Sequence, residues 1–278
     1  MNPILLAAHG GPSAEGAVRV AGLLETRLRT TLETVCVLEP LPVIDYGYVA
    51  TLPPSQEQYQ VLSDALRAAV TQQLRRCEQT GGTPQVAFGL AASEIARTAR
   101  EKGALLIVTG IGPHHVLDRA LGGETALQLV QLASTPVLAV PANATTLPRR
   151  VMAAIDFTPT SLRAARVPLL WLGAGDSLQL VHVAAEPDPT AAARLEELKA
   201  DLQAGTKAAV ETVPLRGDPA RSLLGHAESS RSDLITAGTH GYGIWKRLTL
   251  GSVASKIVRL SPIAVLIAPL GSVAQGAG

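Results

Sequence analysis

The chain has 278 residues, 47% of them hydrophobic and only 3% aromatic, with a formal net charge of +1 and a pI near 7.9. That length suits two ordinary domains better than one, and their cores must be built from Leu, Val, Ile and Ala. Near-neutral charge with scattered arginines offers no long-range attraction for nucleic acid, and no apolar run approaches the ~20 residues that span a bilayer, so neither partner is expected.

Met1-Asn2-Pro3-Ile4-Leu5-Leu6 lacks the basic flank and long apolar core of a signal peptide and reads as a first strand. Cys36 and Cys77 lie far apart with no CxxC, so neither a disulfide framework nor a zinc site is expected, and a cytoplasmic location fits. Cys36 sits in an apolar run as a small core residue. Further strands fall near Val35–Leu38, Gln85–Phe88, Leu105–Thr109 and Val137–Val140, after the first at Ile4–Ala8. Between them, Val20, Leu24 and Leu28 share one helix face and Leu62, Leu66 and Val70 another. The segment Glu39 to Gln60, rich in Pro and Tyr, is long for a connection and reads as an ordered surface loop, with a lid or partner surface as the alternative.

Asn143 to Pro148 is polar and ends in proline, a natural linker between domains at 1–145 and 149–270. The strand–helix alternation then repeats, with strands near Val151–Ile155, Leu178–Val183, Ala209–Pro214, Leu234–Ala237 and Ile263–Ile267. Such alternation implies parallel α/β architecture. Thr135 to Pro141 and Ser261 to Ile267 read as apolar edge strands, each a template for pairing.

The most informative stretch runs from Asp233 to Pro269. A short apolar strand leads to Gly238, Gly241 and Gly243, and a nine-residue gap separates Gly241 from Gly251-Ser252, where a helix opens. Its Val253/Ile257 and Ala254/Val258 repeats define a buried face, and Pro262 stops it. Glycines let backbone approach a ligand, and a helix N-terminus presents free N–H groups in a dipole that favours negative charge by ~0.3–2 kcal/mol. The chemistry is anion binding. The alternative is a glycine-rich loop that simply turns the chain.

Gly238-x2-Gly241-x9-Gly251-Ser252, followed by a helix and an apolar strand, resembles the ATP-binding signature of the universal stress protein family. The resemblance covers Asp233 to Ala268 and implies two tandem open-sheet α/β domains, each a five-stranded parallel sheet in the order 3-2-1-4-5 with helices on both faces. In that order the first and fourth strands are neighbours, so the loops at their carboxyl ends meet where open sheets bind ligands. Carried over residue by residue, the nucleotide contacts are Ala154, Ile155 and Asp156 at the first strand's end and Val183 after the second. Gly238, Thr239, His240 and Gly241 would wrap ribose and inner phosphates, and Gly251, Ser252 and Val253 would meet the outer phosphates. ATP is the implied ligand, with Mg²⁺ or Mn²⁺ held mainly by the phosphates. Asp156 has a second role open to it, capping the next helix alongside Thr158. His182 reads as a satisfied core histidine, and Lys246 and Arg247 as electrostatic support at most.

Counting back 128 residues pairs Gly238 with Gly110, Gly241 with Pro113, Gly251 with Gly123 and Ser252 with Glu124. Proline removes an N–H, and the carboxylate repels phosphate by ~1 kcal/mol at 4 Å in water and ~4 at a lower effective dielectric. His9 stands where the second copy has Asp156. The first copy is therefore expected to bind polyphosphate poorly.

The resemblance further implies a nucleotide-linked regulator of other proteins, with no enzymatic activity of its own. In tandem form the two halves would pair as an intramolecular pseudo-dimer, and homodimers are a further option. No GxSxG, Walker motif or HExxH is present, and His114-His115 has no third ligand in view. Two other classes stay open. Leu5 to Gly11 resembles the strand-end His-Gly of cobalt and ferro-chelatases, which would make His9 a metal-handling residue in tetrapyrrole chemistry. Alternatively, neither half binds nucleotide and the chain is an interaction module.

Overall fold

Buried parallel strands must be apolar on both faces, and the short runs of the sequence meet that demand. The computed structural model describes residues 2–40, 42–45, 48–51, 54–79, 82–111, 123–186, 188–239 and 251–269. The first half contains β1 (Ile4–Ala7), α1 (Glu15–Leu28), β2 (Leu32–Leu38), β3 (Pro42–Asp45), β4 (Tyr48–Thr51), α2 (Gln56–Arg76), β5 (Gln85–Phe88), α3 (Ala91–Glu101), β6 (Leu106–Ile111), α4 (Gly123–Leu132) and β7 (Val137–Pro141). The second contains β8 (Arg150–Ala154), α5 (Pro159–Arg166), β9 (Ser177–Ala184), α6 (Pro189–Ala204), β10 (Ala209–Arg216), α7 (Pro219–Ser229), β11 (Leu234–Gly238), α8 (Ser252–Leu260) and β12 (Ala264–Ala268).

The main sheet runs β10-β9-β8-β11-β12-β7-β6-β1-β2-β5. Each half thus has the strand order expected from the family resemblance, third-second-first-fourth-fifth, with parallel neighbours throughout. The halves meet where β12 pairs antiparallel with β7, Val265 opposite Ala139 and Ile267 opposite Val137. The two strands read as apolar edges therefore cover one another, and the outer edges are β5 and β10. Val265, Leu266 and Ile267 are 0–1% exposed at this seam. Burying such side chains is worth about 1.5–3 kcal/mol each. β10 carries Glu211 and Pro214, residues that discourage strand addition at an open edge.

Strand alternation sends side chains to two cores. Ile4 and Leu6 of β1 join one with Val18 and Leu24 of α1, Val70 of α2, Ala164 of α5 and Leu195 of α6. Leu5 and Ala7 join the other with Ile95 of α3, Leu129 of α4, Leu223 of α7 and Ile257 of α8. The α2 face differs in detail from its sequence reading. Val70 is fully buried and Leu66 packs against the core, but Leu62 is 41% exposed, because Ser63, 3% exposed, takes the inward position of that turn. The long segment from Glu39 is not a plain loop. β3 and β4 form an antiparallel hairpin, Pro42 opposite Thr51 and Asp45 opposite Tyr48, and Ser55 and Gln58 then close a capping box at the start of α2.

Candidate functional site

The pairing of β8 with β11, Val151 opposite Leu234 and Ala153 opposite Thr236, brings Asp156 and Gly238 to the same carboxyl edge of the sheet. β9 flanks β8 on its other side with Ala154 opposite Val181, and Ile155 N–H continues the ladder to Val181 O at 2.8 Å. Ala154, Ile155, Asp156, Val183, Gly238 and Thr239 are therefore brought together by strand order alone. Gly251, Ser252 and Val253 join them through α8, since Gly251 N–H donates to Thr239 O at 2.7 Å. His240 and Gly241, with Lys246 and Arg247, lie outside the described residues. So do Gly112, Pro113, His114, His115 and the side chain of Glu124.

His182 Nδ1 lies 2.7 Å from the carbonyl oxygen of Ile155. A carbonyl only accepts, so the proton sits on Nδ1, and the imidazole ties the end of β9 to the end of β8. Its ring also stands 5.0 Å from the Phe157 ring at a 45° tilt. The sequence reading of His182 as a satisfied histidine holds, with a backbone carbonyl as its partner.

Asp156 does not cap α5. Thr158 does, its side chain accepting from Ser161 N–H at 3.3 Å, and Pro159 occupies the first turn. Asp156 Oδ1 in turn accepts from Thr158 N–H at 3.0 Å and from Thr158 Oγ1 at 2.6 Å. One carboxylate oxygen braces the cap, and among the described residues the other carries no hydrogen bond. The capping role read from the sequence therefore falls to Thr158, with Asp156 bracing it.

Gly238 has a reason of its own to be glycine. A Cβ there would lie 2.7 Å from Ser161 N and 2.9 Å from Thr160 C, with Thr160 Oγ1 nearer still. The first turn of α5 fills the space, so the close approach is made by the chain itself. Gly110 stands equivalently at β6, where a Cβ would meet Ser13 O at 2.6 Å and Ala14 Cα at 2.9 Å. The glycine kept in both halves is a packing residue in both.

At α8 the N-cap is Gly251, in extended conformation and without any side-chain cap bond. Among the described residues, no N-cap side chain satisfies the amides of the first turn. Ser252 is exposed beside them, and no acidic residue stands in that turn. This is the local chemistry of an anion site. Among the described residues no group of three His, Cys, Asp or Glu side chains is placed to hold a metal.

The equivalent corner of the first half is filled. His9 Nδ1 accepts from Gly11 N–H at 3.2 Å, which leaves Nε2 to donate to Ser13 Oγ at 3.0 Å. Both nitrogens are engaged in a neutral ring, and partial burial pulls the imidazole pKa below its usual value. Gln73, fully buried on α2, accepts from Gly10 N–H at 3.1 Å and donates to Gly11 O at 2.6 Å. Sequence reasoning misses Gln73, and Phe157 and Arg194 as well. The adjacent glycines Gly10-Gly11 are the only signal of a close approach, and they do not say from where.

One protein-family model, the universal stress protein family, matches the chain twice, over residues 1–141 and 148–269. A universal stress protein of Mycolicibacterium smegmatis is 29% identical over 195 residues, 62% of this chain and 65% of that protein. Universal stress protein YxiE of Bacillus subtilis is 40% identical over 57 residues, 20% of this chain and 38% of that protein. The chain thus spans less than two thirds of the length of these curated relatives. Among solved structures, a universal stress protein from Archaeoglobus fulgidus superposes with a TM-score of 0.73 at 18% identity, covering 97% of this chain and 99% of that one, a likeness of fold. With one family's pattern written twice along the sequence and its strand order repeated in both halves, this chain belongs to the universal stress protein family.

Proposed function

We propose that the second half binds an adenine nucleotide, ATP in the first instance, and that occupancy regulates contacts with another protein. The observation that carries this reading is the uncapped first turn of α8, joined to the end of β11, the strand beside β8, after which Asp156 keeps one carboxylate oxygen with no partner among the described residues. The α8 amides suit a phosphate chain, and Asp156 suits a ribose hydroxyl or a phosphate-bound Mg²⁺ or Mn²⁺. The backbone of Val183 lies at the end of β9, beside the end of β8, where it can hold the base edge. His240 and Gly241 complete the set by the family signature. The first half takes no part, because His9, Ser13 and Gln73 already occupy its corner.

On this reading, which follows the family resemblance, the role is storage or sensing of nucleotide, not turnover. The protein partner and cytoplasmic setting belong to the same reading. Protein purified without added nucleotide, denatured and analysed by mass spectrometry, is expected to release an adenine nucleotide, and calorimetric titration of stripped protein is expected to show ATP favoured over GTP. No release and no heat with ATP would overturn the reading.

A further inference from the structure

The two strand-end loops are the same loop folded around different side chains. Ala8 N–H bonds to Val35 O and Ile155 N–H to Val181 O, which aligns His9 with Asp156, Gly10 with Phe157, Gly11 with Thr158 and Pro12 with Pro159. Gly10 and Phe157 both take the left-handed conformation, φ 81° and 62°. Glycine adopts it freely, whereas phenylalanine does so at a conformational cost.

That single difference changes the surroundings of each loop. At Gly10 a Cβ would lie 2.9 Å from Ala69 Cβ, so only glycine lets α2 come this close, and Gln73 then reaches the loop and takes Gly10 N–H. Phe157 is 9% exposed, its ring lying between His182 at 5.0 Å and the Arg194 guanidinium of α6 at 4.0 Å. Arg194 makes no ion pair among the described residues, and its cation over the ring face helps offset the cost of the left-handed backbone. Gln73 stands one turn before Cys77, the C-cap of α2, and Asp201 one turn before Gly205, the C-cap of α6. Asp201 binds Arg166 at 2.8 Å and not the loop. Among the described residues, Phe157 N–H has no hydrogen-bond partner, whereas Gly10 N–H has Gln73.

We propose that the residue after the strand-end acid position decides which crevice stays open. Phe157 props α6 off its loop and leaves its own N–H for an acceptor on the ligand, whereas Gly10 admits α2 and gives its N–H to the Gln73 carboxamide, which acts as a built-in occupant. The carboxamide offers an acceptor beside a donor, the pattern of an adenine edge, so the ligand atom assigned to Phe157 N–H is a base nitrogen. That assignment rests on the proposed nucleotide function; the prop itself does not.

Amide hydrogen exchange followed by NMR on the full chain separates the two. Without ligand, Gly10 N–H is expected to exchange at least tenfold more slowly than Phe157 N–H, and Gln73→Ala to remove that protection from Gly10 alone. Saturation with Mg–ATP is expected to slow Phe157 N–H at least tenfold and leave Gly10 unchanged. Calorimetry is expected to show Phe157→Gly binding Mg–ATP at least tenfold more weakly, with Phe157→Tyr within threefold of wild type. Equal protection of the two amides without ligand overturns the prop, as does wild-type affinity in Phe157→Gly. Wild-type protein that takes up no Mg–ATP overturns the ligand assignment together with the nucleotide reading, while the ligand-free exchange contrast still decides the prop.

Discussion

Replacing Gly238 by alanine aims a methyl group at the first turn of α5, 2.7 Å from Ser161 N and 2.9 Å from Thr160 C. Both are backbone atoms of a turn pinned by the Thr158 cap, so no side-chain rotation relieves the contact, and β11 and α5 must separate by several tenths of an ångström. Overpacking of this kind costs about 1–3 kcal/mol. At about 2–4 °C per kcal/mol, the melting temperature of nucleotide-free protein is expected to fall by about 2–12 °C. Gly110→Ala, aimed at Ser13 O and Ala14 Cα, is expected to fall by a similar amount even though its half takes no nucleotide. Thermal unfolding followed by circular dichroism, with ligand stripped, reads both. A purely ligand-facing glycine would give a different pattern: Gly238→Ala would melt within about 1 °C of wild type and lose only ATP binding. That outcome would refute the packing argument.

Ser252→Glu installs in the second half the residue found at position 124 of the first. An acid in the first turn of α8 is expected to raise stability by about 0.3–1 kcal/mol, yet to repel phosphate by about 1–4 kcal/mol, so melting temperature holds or rises while ATP affinity falls at least about fivefold by calorimetry. A loss of both would point to misfolding and count against the assignment of α8. Burial pushes the Cys36 thiol up to about 11, so at pH 8 roughly one thiol in a thousand is ionised and iodoacetamide is expected to leave native Cys36 unlabelled by mass spectrometry. As pH rises from the ordinary 9.0 toward about 11, the unfolded chain ionises first, and the stability associated with the neutral buried thiol is lost across that window. Full labelling of native protein within minutes would contradict its burial. Arg163 on α5 donates to Pro269 O at 2.7 Å and Ser134 O at 3.4 Å, one beyond β12 and the other before β7. Arg163→Met is expected to lower stability by about 1–3 kcal/mol in urea unfolding, and an unchanged midpoint would show that the seam does not depend on it.

How much of the fold and site is legible in the sequence depends on the range of the interaction. Runs such as Ile4-Leu5-Leu6-Ala7 and Ala264 to Ala268 announce buried parallel strands locally, because both faces are covered and every side chain is apolar. The helix starting at Gly251-Ser252 is equally local, set by a change from glycine spacing to a four-residue repeat. Strand order comes only with the family resemblance, since spacing says nothing about which strands are neighbours. The hairpin of β3 and β4 passes for loop in the sequence because two four-residue strands fall below any periodic signal. Long-range contacts are invisible there. Gln73 meets Gly10 from 63 residues away, and the need for glycine at 238 lies in the turn at Thr160 and Ser161. Phe157 gives no warning either, because a left-handed phenylalanine carries no compositional mark.

The count and place of bound nucleotide test the account most directly. Equilibrium dialysis of stripped protein against Mg–ATP is expected to saturate at one nucleotide per chain, with Ser252→Glu weakening that site and His9→Ala leaving it unchanged. Two nucleotides per chain, or a single one whose binding survives Ser252→Glu and is lost in His9→Ala, would contradict it.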